Sequence, residues 1–225
     1  MLAPPIGGDP VTIELFGGTK GGPGKTTVAI NVAIQLATLG HAVCIVDADK
    51  QRSAAKWHAR RIDNEIQPAL TLVEKRGNVN AALRDLDEHY DFVIVDVAGD
   101  DNQEMRTAMT AAHRMIVVLQ PSQLDVETLE DFTEVIDTAK DFNPALEVRS
   151  LINQAPTNHN ETETSDVSEF IVDFSQITPI ETILARRKAY RDTLAGGKGV
   201  VELTAPSAKK ARIEIEELVE EVFNR

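Results

Sequence analysis

Short apolar runs alternate with longer stretches of helical periodicity along most of the chain. The short runs place Val, Ile and Leu at consecutive positions, which is typical of strands buried on both faces of a parallel sheet. The alternation predicts an α/β fold, a mostly parallel twisted sheet of about seven strands flanked by helices. The predicted strands cover residues 11–16, 42–46, 70–73, 92–95, 115–119 and 148–152, with a weaker one around Ile177.

The longer stretches place apolar residues three or four positions apart, as amphipathic helices do. No internal repeat and no linker interrupts the order, so the sequence predicts one domain over residues 1–225. Residues 1–10 are rich in Pro and Gly and are expected to form a loose tail. The predicted helices cover residues 25–39, 53–62, 79–88, 104–111, 126–141, 166–172, 183–194 and 205–223.

The composition narrows the class of protein. The single cysteine, Cys44, lies in an apolar run and is expected to be a small buried side chain. One cysteine allows no intrachain disulfide, so the fold does not depend on an oxidising compartment. No apolar run approaches the roughly 20 residues that span a bilayer, and residues 1–10 lack the basic start of a signal peptide. We therefore expect a cytoplasmic protein with no membrane partner.

The most informative motif is the glycine-rich loop Thr-Lys-Gly-Gly-Pro-Gly-Lys-Thr-Thr at residues 19–27. It lies between a predicted strand and a predicted helix, which is the context of a phosphate-binding P-loop. Its glycines let backbone N–H groups turn toward phosphate oxygens, and the helix N-terminus adds a positive dipole end. We expect Lys25 to reach the β- and γ-phosphates and the Thr26 hydroxyl to bind Mg²⁺. The expected nucleotide contacts are Lys20, Gly21, Gly22, Pro23, Gly24, Lys25, Thr26 and Thr27.

Acidic residues follow two of the predicted strands, at the sheet edge where ligands bind in such folds. Asp96 fits a carboxylate that holds Mg²⁺, usually through water; the alternative is a strand-end carboxylate that caps the next turn. Asp47 and Asp49 are two positions apart, so they face opposite sides if their strand continues. We assign Asp49 to orienting water at the γ-phosphate and count Asp47, in a supporting role, with Thr26 and Asp96 as the metal residues.

Together, residues 20–27, the Asp47-Ala48-Asp49 segment and residues 92–96 resemble the ParA/MinD class of deviant Walker A ATPases. Within that class the chain is most similar to small ParA proteins of ParF type, and the resemblance runs from about residue 12 to residue 223. It implies a P-loop NTPase fold and a homodimer that sandwiches two ATP molecules with Mg²⁺. Lys20 would cross to the nucleotide of the other subunit and neutralise phosphate charge, as an arginine finger does. Lys20, Lys25 and Asp49 would then form the catalytic group, and hydrolysis would need dimerisation.

The resemblance also suggests residues near the base. Asn153 matches a position where relatives place an Asn side chain against adenine, although a turn-forming Asn is the alternative. Pro179 matches a loop that flanks the base. One departure concerns Lys50, which stands where relatives commonly have a proline after the catalytic carboxylate. A cation there can pair with Asp49 or neutralise phosphate charge, and it leaves the hydrolysis rate open.

Relatives of ParA type bind DNA without sequence preference when ATP-bound, which requires several basic residues on one face. The formal net charge of −13 argues against nucleic acid on its own, so local clustering matters. Four basic residues are clustered on the predicted helix 183–194. The alternatives to DNA binding by this cluster are a solvated helix face or salt bridges to the Glu-rich C-terminus. The candidate DNA-binding residues are Arg186, Arg187, Lys188 and Arg191.

These features favour an ATPase that segregates plasmid or chromosomal DNA with a ParB-like adaptor. The adaptor would carry a basic segment that stimulates hydrolysis and suits the acidic surface. The same ATPase could instead position a protein cargo, a microcompartment or a chemoreceptor cluster, over the nucleoid. An electron-transfer or metalloid enzyme would need more than one cysteine. A non-catalytic scaffold stays open only through Lys50, and a membrane anchor is disfavoured because the last predicted helix is acidic.

Overall fold

The computed structural model describes residues 13–99, 101–157 and 163–223. Within them, seven strands form one sheet in which every paired neighbour runs parallel, as the alternating pattern predicts. The predicted tail and the start of the first predicted strand lie outside the described residues. The strands are β1 (Ile13–Gly17), β2 (Val43–Asp47), β3 (Thr71–Glu74), β4 (Phe92–Asp96), β5 (Arg114–Leu119), β6 (Glu147–Ile152) and β7 (Thr178–Pro179).

The strand order is β3-β2-β4-β1-β5-β6-β7, so β1 is the central strand. The glycine-rich loop follows β1 and therefore opens in the middle of the sheet edge. Phe16 pairs in register with Asp96, and Asp96 with Asp47, so the ends of β1, β4 and β2 are level. This register brings the predicted acidic residues to the same edge as the loop.

Helices cover both faces of the sheet, and the described buried residues form one apolar cluster on each face. The helices α3 (Asn80–Asp87), α4 (Gln103–Met109), α5 (Gln123–Phe142) and α6 (Glu163–Ile171) pack on one face. The opposite face carries α1 (Lys25–Thr38), α2 (Ser53–Asp63), α7 (Lys188–Gly196) and α8 (Lys209–Phe223). Cys44 is fully buried in β2, as expected, and burial raises the pKa of its thiol to about 12.

The last helix packs on the sheet, as its acidic amphipathic pattern predicts. Ile215, Leu218, Val219 and Val222 of α8 are buried in the apolar cluster that α1 shares. Among the described helices, none is both long enough and apolar enough to cross a bilayer.

The helix predicted over residues 183–194 begins only at Lys188, so this expected boundary is wrong. The Leu184 N–H donates to the Ile152 carbonyl at 3.0 Å and the Arg186 N–H to the Ala155 carbonyl at 2.8 Å. These hydrogen bonds to the end of β6 hold the segment extended, so tertiary pairing overrides its helical periodicity. Arg186 and Arg187 therefore precede the helix instead of lying on it.

A buried contact between a glutamate and an arginine lies inside the sheet, between β1 and β5. Glu14 and Arg114 are partners in register, and Nη1 of Arg114 lies 3.2 Å from Oε1 of Glu14. Arg114 also donates to the Val222 carbonyl of α8 at 2.9 Å and to Glu147 at 2.8 Å. Burial raises the pKa of Glu14 to about 8, although the Arg114 charge acts in the opposite direction.

Candidate functional site

The glycine-rich loop is held from the ends of two neighbouring strands. Nδ2 of Asn153 donates to the Pro23 carbonyl at 2.6 Å, and Nε2 of Gln154 to the Gly22 carbonyl at 2.8 Å. Gly22 and Gly24 have φ angles of 102° and 91°, a left-handed conformation that glycine adopts without strain. These contacts fix the course of the loop backbone.

Lys25 begins α1 and is buried at the base of the loop. Its Nζ donates to the carbonyl of Lys20 at 2.9 Å, so the two lysines predicted to act on phosphate are linked. Gly99, after β4, lies so close that a Cβ there would overlap the Lys20 carbonyl. The loop after β1 and the loop after β4 thus touch at the point where phosphate is expected.

A cavity of about 650 Å³ opens beside the glycine-rich loop. It brings together the loop lysines, Thr26 and Asp49, as predicted. It also includes Lys56 and Arg60 of α2, which were not among the predicted nucleotide contacts. Their spacing of four on a helix that follows Asp49 was the signal that would have placed them here. The lining residues are Thr19, Lys20, Gly21, Gly22, Gly24, Lys25, Thr26, Thr27, Asp49, Gln51, Ser53, Lys56, Trp57, Arg60, Ala98, Gly99 and Leu194.

Trp57 forms part of the α2 wall of this cavity. Its ring is 1 % exposed, and its indole N–H donates to the Lys198 carbonyl at 3.1 Å. The guanidinium of Arg61 lies 5.6 Å from the ring centroid, and Arg61 in turn pairs with Glu202 at 2.7 Å. The wall is therefore rigid and tied to the segment that follows α7.

A second cavity of about 350 Å³ lies on the other side of the loop–helix junction and shares Gly24 and Thr27 with the first. Asn153 borders it, and its role near the base stays a prediction. Pro179 does not border either cavity, because it pairs with Ser150 inside the sheet as part of β7. The side of the second cavity opposite the loop is formed by Ala185, Arg186, Arg187, Tyr190 and Arg191.

Asp96 is the residue that best fits a metal ligand. Its carboxylate is fully buried, and neither oxygen completes a hydrogen bond with the described residues. Burial raises the pKa of Asp96 to about 7, while the Thr26 hydroxyl and the Lys25 ammonium nearby favour the charged form. Among the described residues, no three His, Cys, Asp or Glu side chains are grouped to hold a metal by themselves. Mg²⁺ needs no such group, because it keeps waters and takes one or two protein ligands plus phosphate oxygens.

Both carboxylate oxygens of Asp47 accept hydrogen bonds from backbone N–H groups. Its Oδ1 accepts from the Asp49 N–H at 3.1 Å, and its Oδ2 from the Ala55 N–H at 2.9 Å. The predicted role as a metal ligand is not supported by this geometry, since both oxygens already fix the turn between β2 and α2. A positioning role fits better. Asp49 borders the first cavity, and its Oδ1 accepts from the Gln51 N–H at 2.9 Å.

Lys50 forms no ion pair with Asp49 in the described part of the chain, so the pairing considered from the sequence is wrong. Lys50 is exposed, and its charge instead helps to lower the pKa of Glu104 in α4. The side chain that contacts the Asp47–Asp49 turn is Arg76, from the loop after β3. Nothing in the local sequence marked Arg76, because its acceptors are backbone carbonyls distant along the chain.

The basic cluster predicted to bind DNA does not form one helix face. Arg187 donates to Glu214 of α8, with Nη2 at 2.5 Å and Nε at 2.8 Å. The alternative of a salt bridge to the acidic C-terminal helix therefore holds for Arg187. Lys188 is 81 % exposed. Arg186 and Arg191 are exposed and border the second cavity.

A central P-loop and a buried carboxylate at the end of the adjacent strand define a P-loop nucleotide-binding protein of α/β type. Residues 12–140 match the model of the family described as ATPase MipZ. The chain therefore belongs to the MipZ ATPase family, within the ParA/MinD class of P-loop ATPases.

A relative agrees with this assignment, and two solved structures share the fold. The chain is 26 % identical over 208 residues to the maintenance of carboxysome distribution protein A of Halothiobacillus neapolitanus, which covers 91 % of this chain and 93 % of that protein. A solved ATP complex of a Cyanothece McdA variant has a TM-score of 0.75 at 17 % identity, over 97 % of this chain and 98 % of that one. The Mg-ADP complex of the septum site-determining protein MinD from Pyrococcus horikoshii has a TM-score of 0.74 at 15 % identity, over 94 % and 96 %. At these identities the two structures support the fold alone.

Proposed function

We propose that the protein hydrolyses ATP with Mg²⁺ as a homodimer, binds double-stranded DNA without sequence preference in the ATP state, and thereby positions a cargo. The observation that carries this proposal is the loop cavity, which Lys20, Lys25 and Asp49 border together. The buried Asp96 carboxylate at the neighbouring strand end, beside the Thr26 hydroxyl, supplies a place for the cation. Phosphoryl transfer depends on positioned charge of this kind more than on covalent chemistry.

Lys25 would bind the β- and γ-phosphates after exchanging the Lys20 carbonyl for phosphate oxygens. Thr26 and Asp96 would hold Mg²⁺, which neutralises charge on the phosphates. Asp49 is fixed by its turn and would orient the attacking water. The base would occupy the second cavity, beside Asn153.

Lys20 is half-buried at the mouth of the cavity and borders the phosphate side. In the proposed homodimer, Lys20 of each subunit contacts the nucleotide of the other and completes its charge neutralisation. Hydrolysis is then slow in the monomer and depends on dimerisation, because a positive group supplied in trans stabilises the charge of the transition state.

The proposed DNA contacts are Arg186, Lys188 and Arg191, which are exposed on one side of the molecule. Arg187 supports this segment through Glu214 instead of meeting phosphate directly. Non-specific binding needs only a local group of cations and is compatible with the net charge of −13. The ATP-bound dimer would then associate with the nucleoid, and a ParB-like or cargo adaptor with a basic segment would stimulate hydrolysis.

Binding to a random-sequence DNA duplex, with ATP–Mg²⁺ against ADP–Mg²⁺ at two salt concentrations, tests the proposal. Binding is expected with ATP only, and it should weaken steeply as salt rises. Lys188→Glu should weaken it markedly, because Lys188 is exposed and borders neither cavity. Arg84→Glu is the matched control, because Arg84 is an exposed arginine on α3, across the sheet. Equal binding in both nucleotide states, or none, would contradict the DNA-anchored mechanism.

The first candidate cargo is plasmid or chromosomal DNA, carried through a DNA-binding adaptor. A protein compartment is the second candidate, and the similarity to a protein named for carboxysome distribution favours it. Pull-down with an Asp49→Asn variant held in the ATP state separates the two. Recovery of a centromere-binding adaptor supports segregation, whereas recovery of an adaptor bound to compartment shell proteins supports the second cargo.

A further inference from the structure

The loop after β3 places Arg76 against the turn that carries Asp47 and Asp49. Nη1 of Arg76 donates to the Asp47 carbonyl. Nη2 donates to the Asp49 carbonyl at 2.6 Å and lies 3.5 Å from Oδ1 of Asp47. A planar guanidinium can join these acceptors at once, whereas a lysine ammonium is a single point of charge on a flexible stem.

The same loop is fastened to α4 on its other side. The Gly77 N–H donates to Oε1 of Glu104 at 2.9 Å, and the Val79 N–H donates to the Thr107 hydroxyl at 3.2 Å. Glu104 is 8 % exposed, and the pKa of its carboxyl is lowered, first by the Gly77 N–H and further by the charges of Lys50 and Arg76. Because α4 follows the end of β4, the loop connects the two strand ends that carry Asp49 and Asp96.

We infer that Arg76 is a positioning residue for ATP hydrolysis, which holds the Asp47–Asp49 turn so that Asp49 keeps its place at the cavity. The inference rests on the proposed role of Asp49 in orienting water. Arg76 does not border the cavity itself, so it would influence the reacting groups only through the turn. Its hydrogen bonds go to backbone carbonyls on both sides of the turn. They hold a segment in which Lys50 stands in place of a rigid proline.

Steady-state hydrolysis of ATP–Mg²⁺ by Arg76→Lys and Arg76→Met tests this role. A misplaced carboxylate should lower kcat by about tenfold to a hundredfold. KM for ATP should stay within about twofold, because the contacts that bind ground-state nucleotide are intact. Arg52→Met is the matched control: the Arg52 side chain donates two hydrogen bonds to Glu74, beside Arg76, and among the described hydrogen bonds it makes none to the Asp47 or Asp49 carbonyl.

A double-mutant cycle separates positioning from general damage. In an Asp49→Asn background, Arg76→Met should lower kcat no further, since the group that it positions is already lost. An unchanged kcat in the folded single variants, a rise in KM without loss of kcat, or full additivity in the cycle would each overturn the inference.

Hydrogen exchange of the nucleotide-free protein provides a readout that does not need hydrolysis. The Gln51 N–H donates to Oδ1 of Asp49 and the Arg52 N–H to the Asp49 carbonyl, both at 2.9 Å. Exchange at these two amides should accelerate in Arg76→Met and stay slow in α1, whose contacts are unaffected. Unchanged exchange would overturn the inference, even if the wild-type protein proved inactive. Absence of ATP-dependent DNA binding by the wild-type protein would contradict the proposed function. The hydrogen-exchange result on Arg76 would not be affected.

Discussion

The guanidinium of Arg187 donates two hydrogen bonds to the same oxygen of Glu214, at 2.5 and 2.8 Å, and so joins the segment before α7 to α8. The side chains are 22 % and 12 % exposed. The Tyr190 hydroxyl donates to the other Glu214 oxygen at 3.0 Å, so the carboxylate is satisfied on both sides. This pair holds the wall of the second cavity in place, and Arg187 is consequently a packing residue.

Arg187→Ala should lower the free energy of unfolding by about 1–3 kcal/mol, because it leaves the mostly buried Glu214 carboxylate without its charged partner. Urea denaturation measures the change. Lys188→Ala serves as the control, since an exposed side chain beside Asp192 contributes less than about 0.5 kcal/mol. Equal stability of the two variants would show that the Arg187–Glu214 contact adds nothing to the fold.

Lys20→Ala should bind ATP with nearly unchanged affinity and lose hydrolysis and ATP-dependent dimerisation. The Lys25 ammonium is bonded to the backbone carbonyl of Lys20, so truncation of the side chain leaves that contact in place. Titration with a fluorescent ATP analogue, analytical ultracentrifugation and a phosphate-release assay measure the three properties. Normal turnover by the variant would refute a lysine that acts across the dimer.

Gly99→Ala should weaken ATP binding by about tenfold or more. A loss of only ~1.4 kcal/mol of binding free energy, caused by displacement of the two loops, is enough for a tenfold change in affinity. The added Cβ would overlap the Lys20 carbonyl and crowd the Lys25 ammonium, which forces the two loops apart. Gly196→Ala is the control, since no heavy atom lies within 4 Å of a Cβ at that position. Isothermal titration with ATP–Mg²⁺ should distinguish them, and wild-type affinity in Gly99→Ala would mean that the loops separate freely.

Glu14→Gln should remove part of the pH dependence of stability. Folded Glu14 keeps its proton up to a pH of about 8, whereas the unfolded side chain titrates near 4.5. Between these values the folded state binds more protons than the unfolded state, so the free energy of unfolding falls as pH rises. The slope from this group is at most about 1.4 kcal/mol per pH unit. Denaturation of both proteins from pH 5 to pH 8 should show that the free energy of unfolding falls more with rising pH in the wild type than in Glu14→Gln. A difference in the free energy of unfolding that stays constant with pH would mean that Glu14 is ionised beside Arg114.

The sheet and the phosphate loop could be predicted from the sequence because both depend on local patterns. Consecutive aliphatic residues mark β1, β2 and β4, and the spacing of Gly24, Lys25 and Thr26 is set by the geometry of phosphate binding. The place of Asp96 at the same sheet edge as the loop followed from its position at the end of an apolar strand. Predicting these features does not require knowing which distant residues pack against them.

Contacts between distant segments could not be predicted in this way. Residues 183–187 carry helical periodicity, yet hydrogen bonds to the end of β6 hold residues 184–186 extended. Arg187 meets Glu214 only because α7 and α8 pack side by side on the same face of the sheet. Arg76 recognises carbonyl groups, which every residue has, so no sequence pattern distinguishes it.

The α2 wall of the loop cavity also contains the only tryptophan of the chain. Trp57 is shielded from water and held by the Lys198 carbonyl and Arg61. Its fluorescence is therefore expected to come from a single environment. A nucleotide bound in this cavity as proposed would place charged phosphates near the ring and is expected to change its emission. Stopped flow should then follow nucleotide arrival and departure by intrinsic fluorescence, without a label, and in the presence of duplex DNA, which does not emit in that range.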